Sequence, residues 1–199
     1  NIGQVHEDMK EYELALMHYD RSAEIKRSID DRYGLGATLN NVGNIHLNAG
    51  RFVQAEQALL ESIRLRGQID DLSGLASAHY NLSLVYQRSG QYAAAIAQAL
   101  TGLDYARRSG AMVREYRIYG GLMQTYREMG DFEKALHYYE QFSLLKDSVL
   151  SVENSRYIAR LMQEFETREK EQKIELLNRE NELGRLQVLQ QRSRMRLLG

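Results

Sequence analysis

Apolar residues recur at helical spacing in the stretch LNNVGNIHLNAG, which begins at Leu39. Leu39, Val42 and Ile45 are three residues apart, a spacing that places side chains on one face of a helix. The same stretch contains four asparagines and two glycines, which are poor helix formers. The pattern therefore predicts a helix whose other face carries amides for a reason other than helix propensity.

This pattern of apolar and polar positions repeats every forty residues. The phrase NVGNIHLNAGRFVQAEQAL returns as NLSLVYQRSGQYAAAIAQAL and again as GLMQTYREMGDFEKALHYY, and the first residues, NIGQVHEDMKEYELALMHY, are a further copy. A fixed period of this length is typical of stacked helical hairpins. Three positions of the repeat keep the same kind of residue in successive copies, and we call each such position a column. The glycine column contains Gly50, Gly90 and Gly130. The aromatic column contains Tyr12, Phe52, Tyr92 and Phe132, and the alanine column contains Ala15, Ala55, Ala95 and Ala135.

Each column has a physical explanation in a helix–turn–helix unit. The glycine is expected to end the first helix in the left-handed conformation. The aromatic residue begins the second helix, and the alanine marks a close approach of the two backbones. The acidic pairs Asp30–Asp31 and Asp70–Asp71 recur between units, so we interpret them as caps of the next helix.

The repeated residues resemble the tetratricopeptide repeat. The match consists of the small residue after an apolar one, as in Val42–Gly43, the aromatic residue that ends the first helix, as in Tyr86, and then the glycine, aromatic and alanine columns. Departures are His6 and His46 in the aromatic column, the absence of tryptophan and proline, and the period of forty, which is similar to that of Pins-type adaptors and Rap-type regulators. The resemblance implies an all-α superhelix of about 3.5 helical-hairpin repeats.

The predicted organisation has two parts. Residues 1–150 form the array, with repeats at about 1–33, 34–73, 74–113 and 114–150, and residues 151–199 form a long charged helix. Between Glu166 and Arg185, eleven of twenty residues are charged, with opposite charges at i,i+4 that support an exposed helix. A thin apolar stripe suggests a coiled-coil homodimer through residues 155–195. The alternative is a solvated helix that pairs with nothing.

Composition removes several classes of function. The formal net charge is −1, which provides no global attraction for nucleic acid, and we expect no nucleic-acid partner. Cysteine is absent, and the five histidines lack metal-binding spacing, so no metal or cofactor is predicted. No nucleotide-binding or hydrolase motif is present, so the protein is expected not to be an enzyme. No run of about 18 apolar residues appears within the chain.

The resemblance implies that the first helix of each repeat lines a concave groove that binds a peptide or protein. On the predicted helix Gly36–Asn48, the asparagines fall on one side, and Asn1, Asn41 and Asn81 form a ladder forty residues apart. Amides can pair with the backbone of an extended peptide, or they can bond adjacent helices and hold the superhelix. A chaperone-tail clamp is disfavoured because Gly121 occupies one of its basic positions. The candidate groove residues are Asn40, Asn41, Asn44, Asn48, Tyr80, Asn81, Arg88, Arg117, Gln124 and Arg127.

The charged C-terminal region suggests a role in signalling. It resembles the connector after tetratricopeptide arrays in membrane-bound bacterial sensor kinases and diguanylate cyclases. We therefore expect a fragment of a longer protein, with a membrane span just after Gly199 and the array on the extracytoplasmic, periplasmic side. The alternative is a free-standing cytoplasmic adaptor or Rap-like regulator.

Overall fold

The computed structural model describes residues 3, 5, 9, 11–150, 163, 167, 170, 171 and 173–179. Every regular element among them is an α-helix, which confirms the all-α prediction. In chain order the helices are α1 (Tyr12–Ser28), α2 (Arg32–Asn48), α3 (Phe52–Gly67), α4 (Leu72–Arg88), α5 (Tyr92–Arg108) and α6 (Met112–Glu128). A further helix, α7, covers residues 132–150.

The turns inside the hairpins follow the glycine column. Gly50, Gly90 and Gly130 have φ values of 73°, 78° and 80°, in the left-handed region that glycine adopts without a steric penalty. At the first of these turns the backbone N–H of Arg51 donates to the carbonyl of His46 at 2.8 Å. The aromatic residue then begins the next helix, as predicted. The hairpins are therefore α2–α3, α4–α5 and α6–α7, and α1 is the second helix of an earlier hairpin.

The first two junctions between hairpins are closed by the acidic pairs. Asp31 and Asp71 precede α2 and α4, and their carboxylates accept from the backbone N–H groups of Gly34 at 2.8 Å and Gly74 at 2.9 Å. These bonds confirm the predicted caps. The predicted start of α2 at Gly36 was wrong by one turn. The cap at Asp31 starts the helix at Arg32, and the two glycines of its first turns are helical.

The alanine column lies where the two helices of a hairpin come closest. Ala15, Ala55 and Ala95 are fully or almost fully buried. A Cβ atom added to Gly43 in α2 would lie 2.6 Å from Leu59 Cγ and 3.3 Å from the carbonyl oxygen of Ala55 in α3. Small residues on both helices thus allow the backbones to approach, as predicted from the repeat.

The first helices of successive hairpins also touch one another. Helix α2 packs against α4, and α4 packs against α6, whereas α1, α3 and α5 make no comparable contact among themselves. Helices that converge on one side and diverge on the other produce a curved array. The side formed by α2, α4 and α6 is therefore the concave one.

Two compact units make up the chain, Asn1–Val149 and Leu150–Gly199. In the second unit, the described residues are helical and exposed, including 173–179. One predicted ion pair is present there, between Arg179 Nη2 and Glu175 Oε1 at 2.6 Å. Most of the proposed dimer seam at residues 155–195 lies outside the described residues.

Candidate functional site

The candidate site is the groove formed by the concave faces of α2, α4 and α6. Each predicted site residue lies on one of these three helices. Asn81 is buried, Asn40, Asn41, Asn44, Tyr80 and Gln124 are half-buried, and Asn48, Arg88, Arg117 and Arg127 are exposed. Asn1, the first member of the predicted amide ladder, lies outside the described residues.

Three of the amides bond between helices. Asn81 Nδ2 in α4 donates to Asn40 Oδ1 in α2 at 3.0 Å, and only 7% of Asn81 is exposed. Asn41 Nδ2 donates to the Tyr19 hydroxyl of α1 at 3.3 Å. These contacts are those of the scaffold alternative, in which amides hold neighbouring helices together. Asn44 has no hydrogen-bond partner among the described residues, so its amide is available to a ligand.

Tyr80 occupies the middle of the groove. Its ring extends from α4 toward α6, where Tyr80 Cε2 would lie 3.5 Å from a Cβ atom added to Gly121. Burial raises the pKa of the Tyr80 hydroxyl, and the positive charges of Arg117, Arg114 and Arg88 partly oppose this rise. The three arginines therefore lie close enough to act on the phenol electrostatically.

The far end of the groove is polar. Gln124 Nε2 donates to Glu128 Oε1 at 2.8 Å within α6, and Gln87 Nε2 of α4 donates to the same oxygen at 3.4 Å. Both contacts are exposed, so they contribute little to stability and are readily exchanged for contacts with a ligand.

The sequence analysis missed three cations at the junctions between hairpins, Arg66, Lys26 and Arg114. Arg66 is buried, forms an ion pair with the Asp71 carboxylate and donates from Nε to Ser62 Oγ at 3.3 Å. Its guanidinium occupies the space that a side chain at position 74 would fill. The signal in the sequence is the cation that precedes each acidic pair, Lys26 and then Arg66.

The first junction has the same arrangement with a lysine. Lys26 Nζ donates to the carbonyl of Gly34 at 3.1 Å and to Thr38 Oγ1 at 2.6 Å. In both junctions, one cation from the preceding helix thus enters a space that a glycine leaves open on the next helix.

The third junction departs from this rule. Ala106 replaces the cation, and Gly110 and Ala111 replace the two aspartates. Arg114 occupies the position of Gly34 and Gly74, so the cation has moved from the second helix of one hairpin to the first helix of the next. Burial and the neighbouring charge of Arg117 lower the pKa of the Arg114 guanidinium.

The described residues contain no group of three or more His, Asp or Glu side chains that could hold a metal ion. None of the described helices is long and apolar enough to cross a membrane. The chemistry that the site can perform is recognition by amides, a phenol and guanidinium groups.

These features define a helical-hairpin repeat protein with a polar concave groove. Tetratricopeptide repeat models match residues 1–68 and 34–108, and another matches residues 116–146. The chain belongs to the tetratricopeptide repeat family, whose members are protein-binding modules and in general not catalysts. No curated protein matches the chain by sequence.

Many solved structures share the fold, including the following two. BtubC (BKLC) from P. vanneervenii is 17% identical with a TM-score of 0.66, over 74% of this chain and 61% of that protein. Aspartyl phosphate phosphatase F from Bacillus subtilis is 16% identical with a TM-score of 0.55, over 73% of this chain and 47% of that protein. The chain thus spans less than two thirds of the length of either protein, and at these identities the likeness concerns the fold.

Proposed function

We propose that the groove of α2, α4 and α6 binds an extended segment of a partner protein, without catalysis. The observation that carries this proposal is the row of polar side chains on three adjoining helices, several of which have no role in packing. The side chains of Asn44, Arg88 and Arg117 have no hydrogen bond or ion pair to another described residue. Such groups add little to the fold, and they are suited to bind a chain that carries its own donors and acceptors.

The distance across the three helices of the groove matches the length of a short extended peptide. Neighbouring packed helices lie about 8–10 Å apart, so three of them span roughly 20 Å. An extended peptide of about seven residues covers that distance at roughly 3.3 Å per residue. One short segment can therefore contact α2, α4 and α6 together.

Selection from a random dodecapeptide display library on the purified chain tests this proposal. Peptides recovered from the library would be labelled and titrated by fluorescence anisotropy against the chain and against a variant with Asn44→Ala and Gln124→Ala. We expect at least about tenfold weaker binding by the variant, corresponding to about 1.4 kcal/mol. The variant should stay folded, because neither amide bonds to another helix through its NH₂ group.

A matched control replaces two exposed glutamines of α3, Gln54→Ala and Gln57→Ala, which lie on the opposite side of the hairpin. This control should bind the selected peptides as tightly as the unmodified chain does. If the groove variant and the control bound equally well, or if the selection recovered no peptide, the groove would not be the binding site.

We further propose that the array is the input region of a larger bacterial signalling protein, on the extracytoplasmic side of a membrane, with the C-terminal helix as a dimeric connector. The charge pattern after residue 150 supports this proposal, together with the exposed apolar residues Ile174, Leu176 and Leu177. Sequencing the parent reading frame past Gly199 is the direct test. An apolar run of about 20 residues followed by a kinase or cyclase domain is the expected result. A stop codon at Gly199 would instead indicate a free-standing adaptor or Rap-like regulator.

A further inference from the structure

The strongest unexplained feature of the array is a group of cations without counter-ions. Arg114 and Arg117 lie on the face of α6 that also carries Gly121, opposite the Tyr80 ring, and Arg88 lies two turns after Tyr80 on α4. We name these four residues the arginine subsite. None of the three arginines forms an ion pair with a carboxylate in the described part of the chain. Arg114 is half-buried, which makes its lack of a partner costly.

Nearby carboxylates are engaged elsewhere. Glu115, the neighbour of Arg114 in the chain, pairs with Arg107 Nε at 3.6 Å. Glu128 accepts from Gln87 and Gln124, and Asp71 is held by Arg66. The third junction also lacks the two aspartates that the earlier junctions carry, since Gly110 and Ala111 stand in their places.

Comparison of the three junctions shows that this charge is not required by the fold. In the first junction Lys26 donates to a carbonyl and a hydroxyl, and in the second Arg66 pairs with the carboxylate of Asp71. The third junction packs a neutral Ala106 at the same point, where it is fully buried. Arg114 therefore adds a positive charge to the groove where the packing does not call for one.

The chemistry of the subsite is suited to an acidic ligand. Gly121 of α6 has no side chain, and the ring of Tyr80 covers it from α4. Guanidinium groups bind carboxylates through two parallel hydrogen bonds, and a phenol hydroxyl can donate to the same oxygens. The arginine subsite therefore presents planar donors for acidic groups from both α4 and α6.

Resting on the proposed groove function, we infer that Tyr80, Arg88, Arg114 and Arg117 select a partner segment that carries Asp or Glu side chains. The ligand thus supplies the carboxylates that the third junction lacks. Binding relieves the mutual repulsion of Arg114 and Arg117, so affinity and specificity arise from the same contacts.

The test uses the whole chain with peptides from the random dodecapeptide library and with a synthetic labelled peptide, (Glu-Gly)₄, beside (Gln-Gly)₄. We expect the selected peptides to be enriched in Asp and Glu, and (Glu-Gly)₄ to bind at least tenfold more tightly than (Gln-Gly)₄. The variant with Arg114→Gln and Arg117→Gln should lose at least tenfold in affinity for the acidic peptides. Raising the ionic strength should weaken the binding of the unmodified chain more than that of the variant.

A control variant with Arg21→Gln and Arg64→Gln removes the same charge from exposed positions on α1 and α3. It should bind the acidic peptides as the unmodified chain does. Thermal unfolding separates a binding role from a structural one. Arg114→Gln removes an unpaired cation, so the melting temperature should rise or stay unchanged while binding falls. A lower melting temperature with unchanged peptide binding would show that Arg114 only supports the fold.

The outcomes distinguish this inference from the proposed function. Selected peptides that lack acidic residues, or that bind the arginine variant as tightly as the unmodified chain, would overturn the inference and leave a neutral peptide groove. Failure to select any peptide would overturn the proposed function, and the arginine subsite with it. Equal loss of affinity in the Arg21 and Arg64 control would show that only net charge matters.

Discussion

Two helical glycines have opposite roles. Gly43 faces α3, and an added methyl group would meet Leu59 and the Ala55 carbonyl, whereas nothing lies within 4 Å of the corresponding position at Gly67. We predict that Gly43→Ala lowers the free energy of unfolding by about 1–3 kcal/mol through overpacking. Gly67→Ala should raise it by up to about 1 kcal/mol, because alanine has the better helix propensity. Chemical denaturation of both variants checks the pair, and an equal effect at the two sites would contradict the close approach.

His46 occupies the column that holds Tyr86 and Tyr126 in later repeats. Its Nδ1 atom is buried and has no hydrogen-bond partner among the described residues. Burial, and then the charge of Arg51, lower the pKa of His46 from the ordinary value of 6.5, although Asp20 and Glu13 oppose the shift. The folded state therefore binds a proton less readily at this site than the unfolded chain does.

This difference has a definite sign. The contribution of His46 to the free energy of unfolding is present in full when the pH is above the pKa of this histidine in the unfolded chain. The contribution is lost as the pH falls toward the lower pKa of His46 in the folded state. We predict that His46→Phe raises the free energy of unfolding by about 1 kcal/mol at neutral pH. It should also reduce the loss of stability between about pH 7 and pH 5.

Thermal unfolding across that pH range checks the prediction, with exposed His137→Gln as the control. Some acid sensitivity should persist, because burial also lowers the pKa of His79. A pH profile identical to that of the unmodified chain would contradict the role of His46.

At the scale of the elements, the junction between α3 and α4 depends on a buried ion pair. The exposed fractions of the Arg66 and Asp71 side chains are 8% and 14%. Removal of Arg66 leaves the carboxylate of Asp71 unpaired and poorly solvated. Arg66→Met should therefore lower the free energy of unfolding by about 3 kcal/mol. Adding Asp71→Asn should recover part of the loss, since asparagine still caps α4.

The exposed pair Arg27–Glu61, at 3.4 Å, is the comparison for this junction. Arg27→Ala should change the free energy of unfolding by no more than about 0.5 kcal/mol. Urea denaturation of the three variants provides the measurement. If Arg66→Met were as mild as Arg27→Ala, the ion pair would not be what holds α3 to α4.

At the scale of the whole molecule, the proposed dimer of the C-terminal helix can be tested directly. Ile174, Leu176 and Leu177 expose 58%, 58% and 49% of their surfaces. We predict that the chain sediments as a dimer, and that Ile174→Glu with Leu177→Glu converts it to a monomer, because charges cannot be buried in an apolar seam. Glu175→Gln, on the same helix, should leave the dimer intact. A chain that is monomeric at tens of micromolar concentration would rule out the seam.

The repeat columns made most of the array predictable. Gly50, Phe52 and Ala55 each have one geometric role, which recurs at a fixed spacing, so local sequence predicted the turn, the helix start and the close contact. The start of α2 was misplaced at Gly36 because two glycines disfavour helix locally, while the cap from Asp31 and packing against Arg66 override that preference.

The groove was predictable only in part. Its position on the first helices follows from the family resemblance and from helical periodicity, so the ten predicted residues all lie on α2, α4 and α6. The hydrogen bonds of Asn81 and Asn40, by contrast, depend on how two helices distant in sequence meet. No local pattern distinguishes an amide that faces a ligand from one that faces a neighbouring helix.

The sequence by itself determined the all-α class, the forty-residue period and the left-handed turns, because each depends on residues that are near one another along the chain. Only the tertiary structure decided which side chains are already satisfied and which remain unpaired. Arg66 and Arg114 have the same chemistry, but Arg66 forms an ion pair with Asp71, whereas Arg114 forms no ion pair with a carboxylate among the described residues. Electrostatic partners are set by distance in space, and folding brings residues about forty positions apart into contact.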